Sequence, residues 1–62
     1  MSGFKTEKSI YYFDPSRRII TGGIFGINEE SYTRLVAIIG CEARVDLADG
    51  RQLITKPVVS YV

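Results

Sequence analysis

The sequence predicts a small α+β domain, β-β-α-β-β in order, with an antiparallel sheet and one helix packed on one face. Three observations lead there. Two β-rich runs joined by "DPSR" open the chain, and two alternating runs joined by "ADG" close it. Between them Tyr32, Leu35, Val36 and Ile39 recur at i, i+3, i+4 and i+7, the spacing of one helical stripe.

Taken in order, residues 1–7 are polar and read as a mobile lead-in. "KSIYYF", residues 8–13, combines β-branched and aromatic side chains and forms a first strand. Asp14 and Pro15 suit the first two positions of a type I turn. "RIITGGIF", residues 18–25, returns as a second strand that its glycines weaken or bulge. Asn28 has the chemistry of a helix N-cap, with Glu29 and Glu30 complementing the positive end of the dipole. Glu30 and Arg34 form an i,i+4 pair, and Gly40 supplies the C-terminal stop.

In "CEARVDL", Ala43, Val45 and Leu47 alternate with Glu42, Arg44 and Asp46. A three-residue loop at 48–50 with Gly50 left-handed sets Val45 across from Leu53 and Ala43 across from Thr55; a two-residue Asp-Gly turn is the rival. Residues 51–56 form a fourth strand that Pro57 interrupts. "VVSYV" then adds a short fifth strand or a tail that pairs with another chain. Strand order stays open.

Sixty-two residues allow one domain, whose core alone is marginal at this size. Cys41 is the only cysteine and there is no histidine, so neither a disulfide within the chain, nor a metal site, nor a cofactor is expected. Hydrophobic residues at 45% are generous for so small an interior, and oligomerisation is the expected source of further burial. The net charge of +1 gives no bulk attraction to nucleic acid or membrane. No apolar run approaches a membrane span, the N-terminus lacks the apolar core of a signal peptide, and a lone cysteine suits a reducing compartment. The expected location is cytoplasmic.

The glycine cluster Gly22-Gly23-Ile24-Phe25-Gly26 sits where a phosphate-cradling loop would lie, and Asp46 follows Gly26 at the distance of a ribose-binding acid. The first fingerprint glycine is replaced by Thr21, however, and Glu29 and Glu30 would repel a pyrophosphate at the helix start. A short G-x-x-G resembling that of KH modules lacks the flanking helices. The loop is expected to be a structural corner. Cys41 follows the helix, whose C-terminal dipole disfavours a thiolate, so a buried, unreactive thiol is expected. The carboxylates serve turns and the helix start, and no catalytic set is present; the chain is expected not to be an enzyme.

The sheet carries the functional information. Ile10, Tyr12, Ile19, Val45, Leu47 and Leu53 share the face expected against the helix. The outer face then carries Tyr11, Phe13, Ile20 and Ile54 with Arg18, Arg44, Asp46 and Lys56 between them. A wet face should read polar. Self-association through a sheet face or edge is the leading expectation, with Tyr11, Phe13, Arg18, Ile20, Arg44, Ile54 and Lys56 as its surface. The alternative is single-stranded nucleic-acid binding, in which Tyr11 and Phe13 stack bases while Arg18, Arg44 and Lys56 hold phosphates; near-neutral charge disfavours it. A different protein partner, engaged by strand addition of the C-terminus, is the third.

Overall fold

In the computed structural model, which describes residues 2–62, the chain is all-β. Its strands are β1 (Ser2–Thr6), β2 (Ile10–Asp14), β3 (Ile19–Gly22), β4 (Glu30–Val36), β5 (Glu42–Leu47) and β6 (Gln52–Tyr61). A 3-10 turn, Gly23–Phe25, follows β3. Each strand pairs antiparallel with the next, and β6 returns to β1, closing a barrel around the core.

The expected α+β class is therefore corrected: residues 30–36 are a strand, not a helix. A bulge explains the misleading period. Tyr32 opposes Leu47 and Arg34 opposes Asp46, so Thr33 is an extra residue on β4. Tyr32 is buried, Thr33 and Arg34 are exposed, and Leu35 is half-buried again. In a bulged strand, inward residues fall three apart, which is also the first interval of a helical stripe. Val36 and Ile39, the next residues of that stripe, are exposed. The β-branched and aromatic content of "SYTRLVAII" agrees with a strand. With no helix to cap, Asn28 lies in a loop, and Glu30 pairs with Arg51 (2.6 Å) of the β5–β6 loop rather than with Arg34.

The lead-in is also corrected. Met1 lies outside the described residues, but Ser2–Thr6 form β1, and Phe4 is fully buried. The Phe4 ring stacks on Tyr11 with centroids 5.2 Å apart, and Tyr11 meets Phe25 edge-on at 6.3 Å. These contacts choose which face of the first hairpin turns inward. Tyr11 and Ile20 are buried and Phe13 packs against the core, whereas Ile10 and Tyr12 are exposed. Within this hairpin the expected grouping holds, since Phe13 opposes Ile20 and Tyr12 opposes Thr21; the expected match to the second hairpin does not, because Val45 and Leu47 are buried with Tyr11 and Ile20 rather than sharing a face with Ile10 and Tyr12. The direction of the first hairpin is inverted. Both alternations of "IYYF" are apolar, so the choice falls to a partner on a different strand, Phe4.

The second hairpin follows the sequence closely. Val45 opposes Leu53, Gly50 is left-handed (φ 94°), and the Leu47 N–H donates to the Arg51 carbonyl (2.8 Å) across the loop 48–50. Pro57, however, does not end the strand. One extra residue on β6 between Ile54 and Pro57 forms a second bulge, where a proline is tolerated. Thr55 turns inward there, and its hydroxyl oxygen accepts from the Ala43 N–H (3.2 Å) that the bulge would leave unpaired. Beyond it, "VVSYV" pairs within the chain. Thr6 opposes Val58, and Gly3 and Val62 exchange backbone hydrogen bonds of 3.2 and 3.0 Å.

Candidate interaction surfaces

The barrel separates the seven residues expected to share one surface. Tyr11, Phe13 and Ile20 belong to the interior. Arg18 sits exposed in the β2–β3 turn with a left-handed backbone (φ 53°), its carbonyl accepting from the Tyr32 N–H (2.9 Å). Asp14 organises this turn, since its Oδ1 accepts from the backbone N–H groups of Ser16 and Arg17. Only Arg44, Ile54 and Lys56 remain together, exposed on the outside of the second hairpin, with Arg44 opposite Ile54.

Two residues join them that the helical reading of 28–40 had hidden. The bulge at Thr33 puts Arg34 and Val36 on the same outer surface, opposite Asp46 and Arg44. Together with Gln52 they line a shallow depression of about 300 Å³. Asp46 is engaged by Gln52, whose Nε2 donates to its Oδ1 (2.9 Å). Strand alternation resumed after the bulge is the signal that would have found this pair. Tyr11 and Phe13 offer no ring to this surface.

Charge is unevenly arranged. Arg51 contacts both Asp49 (2.7 Å) and Glu30 (2.6 Å), and Arg17 lies 3.9 Å from Glu29. Asp49 is held below the usual carboxylate range by the Arg51 backbone N–H and then by its guanidinium, which is raised in turn by Asp49. These ion pairs gather the loops 15–18, 28–30 and 48–51 at one place. Lys5, Lys8, Arg34, Arg44 and Lys56 take no part in them.

The apolar surface lies elsewhere. Ile38, Ile39, Val59, Tyr61 and Val62 are each about half exposed. The chain 37–41 is tied to the C-terminal half of β6: Ile39 bridges to Val58, the Gly40 N–H donates to the Val58 carbonyl (2.8 Å), and the Tyr61 hydroxyl donates to the Ala37 carbonyl (2.8 Å). These bonds bring Ile38, Ile39, Val59 and Tyr61 to one rim of the barrel. Cys41, expected buried, is exposed at this rim; no helix end covers it.

The glycine cluster is a corner, as expected, though it turns into a 3-10 segment rather than a helix. Gly23 has positive φ (49°), and a Cβ there would lie 2.1 Å from the Tyr11 ring, so the corner is shaped by that ring. Phe25 tucks toward the core while Ile24 and Ile27 point to solvent. Among the described residues no helix is long and apolar enough to cross a membrane. Comparison of the chain with protein-family models, with curated proteins and with solved structures finds no match, and its function must be argued from these surfaces.

Proposed function

We propose that this chain is a non-enzymatic cytoplasmic interaction module that self-associates, and that the apolar rim at Ile38, Ile39, Val59 and Tyr61 is the contact. The rim carries the reading. Clustered exposed side chains of this size mark association sites on small proteins. They border a tyrosine already anchored by its hydroxyl, the kind of aromatic that centres an interface. The whole surface is 4057 Å², so a dimer contact of about 800 Å² per partner would cover about a fifth of it. The rim stands in for the sheet face first expected, since barrel closure takes Tyr11, Phe13 and Ile20 into the interior, and β6 spends the C-terminal edge on β1. Five of the seven acidic side chains support a non-enzymatic role by their engagement: Asp14 in its turn, Asp46 with Gln52, and Glu29, Glu30 and Asp49 with arginines. An exposed free thiol at Cys41 supports a reducing compartment.

Light scattering behind a sizing column tests the reading. The parent chain is expected as a dimer or larger at micromolar concentration. Ile39→Asp is expected as a folded monomer, since Ile39 is exposed and its replacement leaves the core intact. A parent that stays monomeric across the accessible range, or an Ile39→Asp chain that assembles equally well, overturns it.

A further inference from the structure

Beyond self-association, one stretch of backbone in the closed barrel has no strand beside it. The Leu47 N–H bonds the Arg51 carbonyl, so these residues form a hydrogen-bonded pair. Bonded and non-bonded pairs alternate along an antiparallel ladder, which makes Val45–Leu53 bonded and Asp46–Gln52 and Arg44–Ile54 non-bonded. The backbone groups of Gln52 and Ile54 therefore turn away from β5. On that side β1 meets β6 only from Val58 onward, and no other backbone bond reaches Gln52 or Ile54 among the described residues. Beside Ile54 lies a groove of about 350 Å³, lined among others by Lys8 of the β1–β2 loop, Ile24 of the 3-10 turn, Glu42, and Leu53, Ile54 and Lys56.

We infer that this groove is a docking site for an extended acidic peptide, which adds as a short strand to β6 at Gln52 and Ile54. Open edge groups supply main-chain hydrogen bonds, and flanking pockets read alternate side chains. Lys8 and Lys56 make no ion pair among the described residues and outnumber Glu42, so carboxylates on the guest are favoured. Ile24 and Leu53 offer apolar contact to side chains between them. The same geometry excludes the edge of a second barrel. The loop bearing Lys8 and the turn bearing Ile24 border the groove, and the bulge with Pro57 ends the usable edge, leaving room for an isolated strand only.

Amide hydrogen exchange on the intact chain tests this directly. Without guest, the Gln52 and Ile54 amides should exchange faster than those of Val45 and Leu53; equal protection of all four overturns the open edge. The probe is a capped heptapeptide pool alternating valine or leucine with glutamate, set against a matched lysine pool. At about ten times its Kd, the glutamate pool should slow exchange at Gln52 and Ile54 by about tenfold and shift the resonances of Lys8, Ile24 and Lys56. The double variant Lys8→Glu, Lys56→Glu should reverse the preference between pools. No protection at millimolar peptide, equal response to both pools, shifts confined to the rim at Ile38 and Tyr61, or the same protection from a single-stranded oligonucleotide each overturns the proposal. The readout at Gln52 and Ile54 is separate from the rim, so it stands or falls apart from self-association.

Discussion

The two halves of the barrel are filled by different means. On the β1–β2–β3 side the interior is aromatic: Phe4, Tyr11 and Phe13, with Phe25 folded in from the corner. Large rings demand space, and the backbone yields it at Gly23, where a Cβ would lie 2.1 Å from the Tyr11 ring; at Gly3 and Gly22 a Cβ would instead meet a backbone carbonyl of β2 at 2.5 Å. On the β4–β5–β6 side a single ring, Tyr32, joins smaller groups, Ala43, Val45, Leu47 and Val58, with Thr55 among them. Here fit is adjusted by backbone irregularity instead, through the bulges at Thr33 and near Pro57. A ring has few ways to be replaced, whereas an aliphatic strand loses only the methylenes removed. The aromatic half should therefore be the brittle one.

Four measurements can break that comparison. The largest effect is expected for Phe4→Ala, about 3–5 kcal/mol, enough to unfold a domain of marginal stability. Val45→Ala, equally buried, removes two methyl groups at about 0.8 kcal/mol each plus a cavity cost, and should leave a folded chain. Urea melts of the two, beside the parent, decide; equal losses would remove the asymmetry.

Next comes the glycine pair Gly23 and Gly50, both left-handed. Gly23→Ala drives a Cβ into the Tyr11 ring and should cost about 2–4 kcal/mol, backbone strain plus overpacking. Gly50→Ala meets open space and should cost only the backbone part, about 1–2 kcal/mol. If thermal melts place them together, the ring does not set the corner.

Thr55 sharpens the other half. Thr55→Val keeps the shape but orphans the buried Ala43 N–H, at about 1–3 kcal/mol. Thr55→Ser keeps the acceptor and should lie well above the valine variant in a denaturant series. Should serine and valine melt alike, the bulge draws no support from that hydroxyl.

The smallest effect concerns the ion pairs at the loop end. The Asp49 carboxyl is depressed below its ordinary 3.8, first by the Arg51 backbone N–H. A depressed acid stabilises the fold above its unfolded value, and that share is lost as pH falls through the folded value. Stability measured downward from pH 5 should thus decline for the parent, and Asp49→Asn should flatten that decline slightly. An unchanged acid limb would show the carboxylate to be energetically idle.

What could be read from residues alone follows from local chemistry. The closing hairpin was legible because one alternation, Ala43-Val45-Leu47, is apolar and the other is charged, and because Gly50 meets the left-handed demand of its loop. Asp14 announced its turn for the same kind of reason, a side chain bonding its own backbone. In the first hairpin, residues that share a face were legible, but both faces were apolar, so sequence held no information on which turned inward. Among the candidate site residues this left Arg44, Ile54 and Lys56 correctly outside and sent Tyr11, Phe13 and Ile20 to the wrong side. Tertiary structure made the choice through Phe4, a contact reaching across to a strand hidden in a polar-looking terminus. It also decided strand over helix at 30–36. One extra residue at Thr33 gives inward positions a spacing that both structures share, and only pairing with β5 on one side and β3 on the other breaks the tie. Closure itself is non-local: β1 and β6 lie at opposite ends of the chain, and no short-range pattern records that they meet.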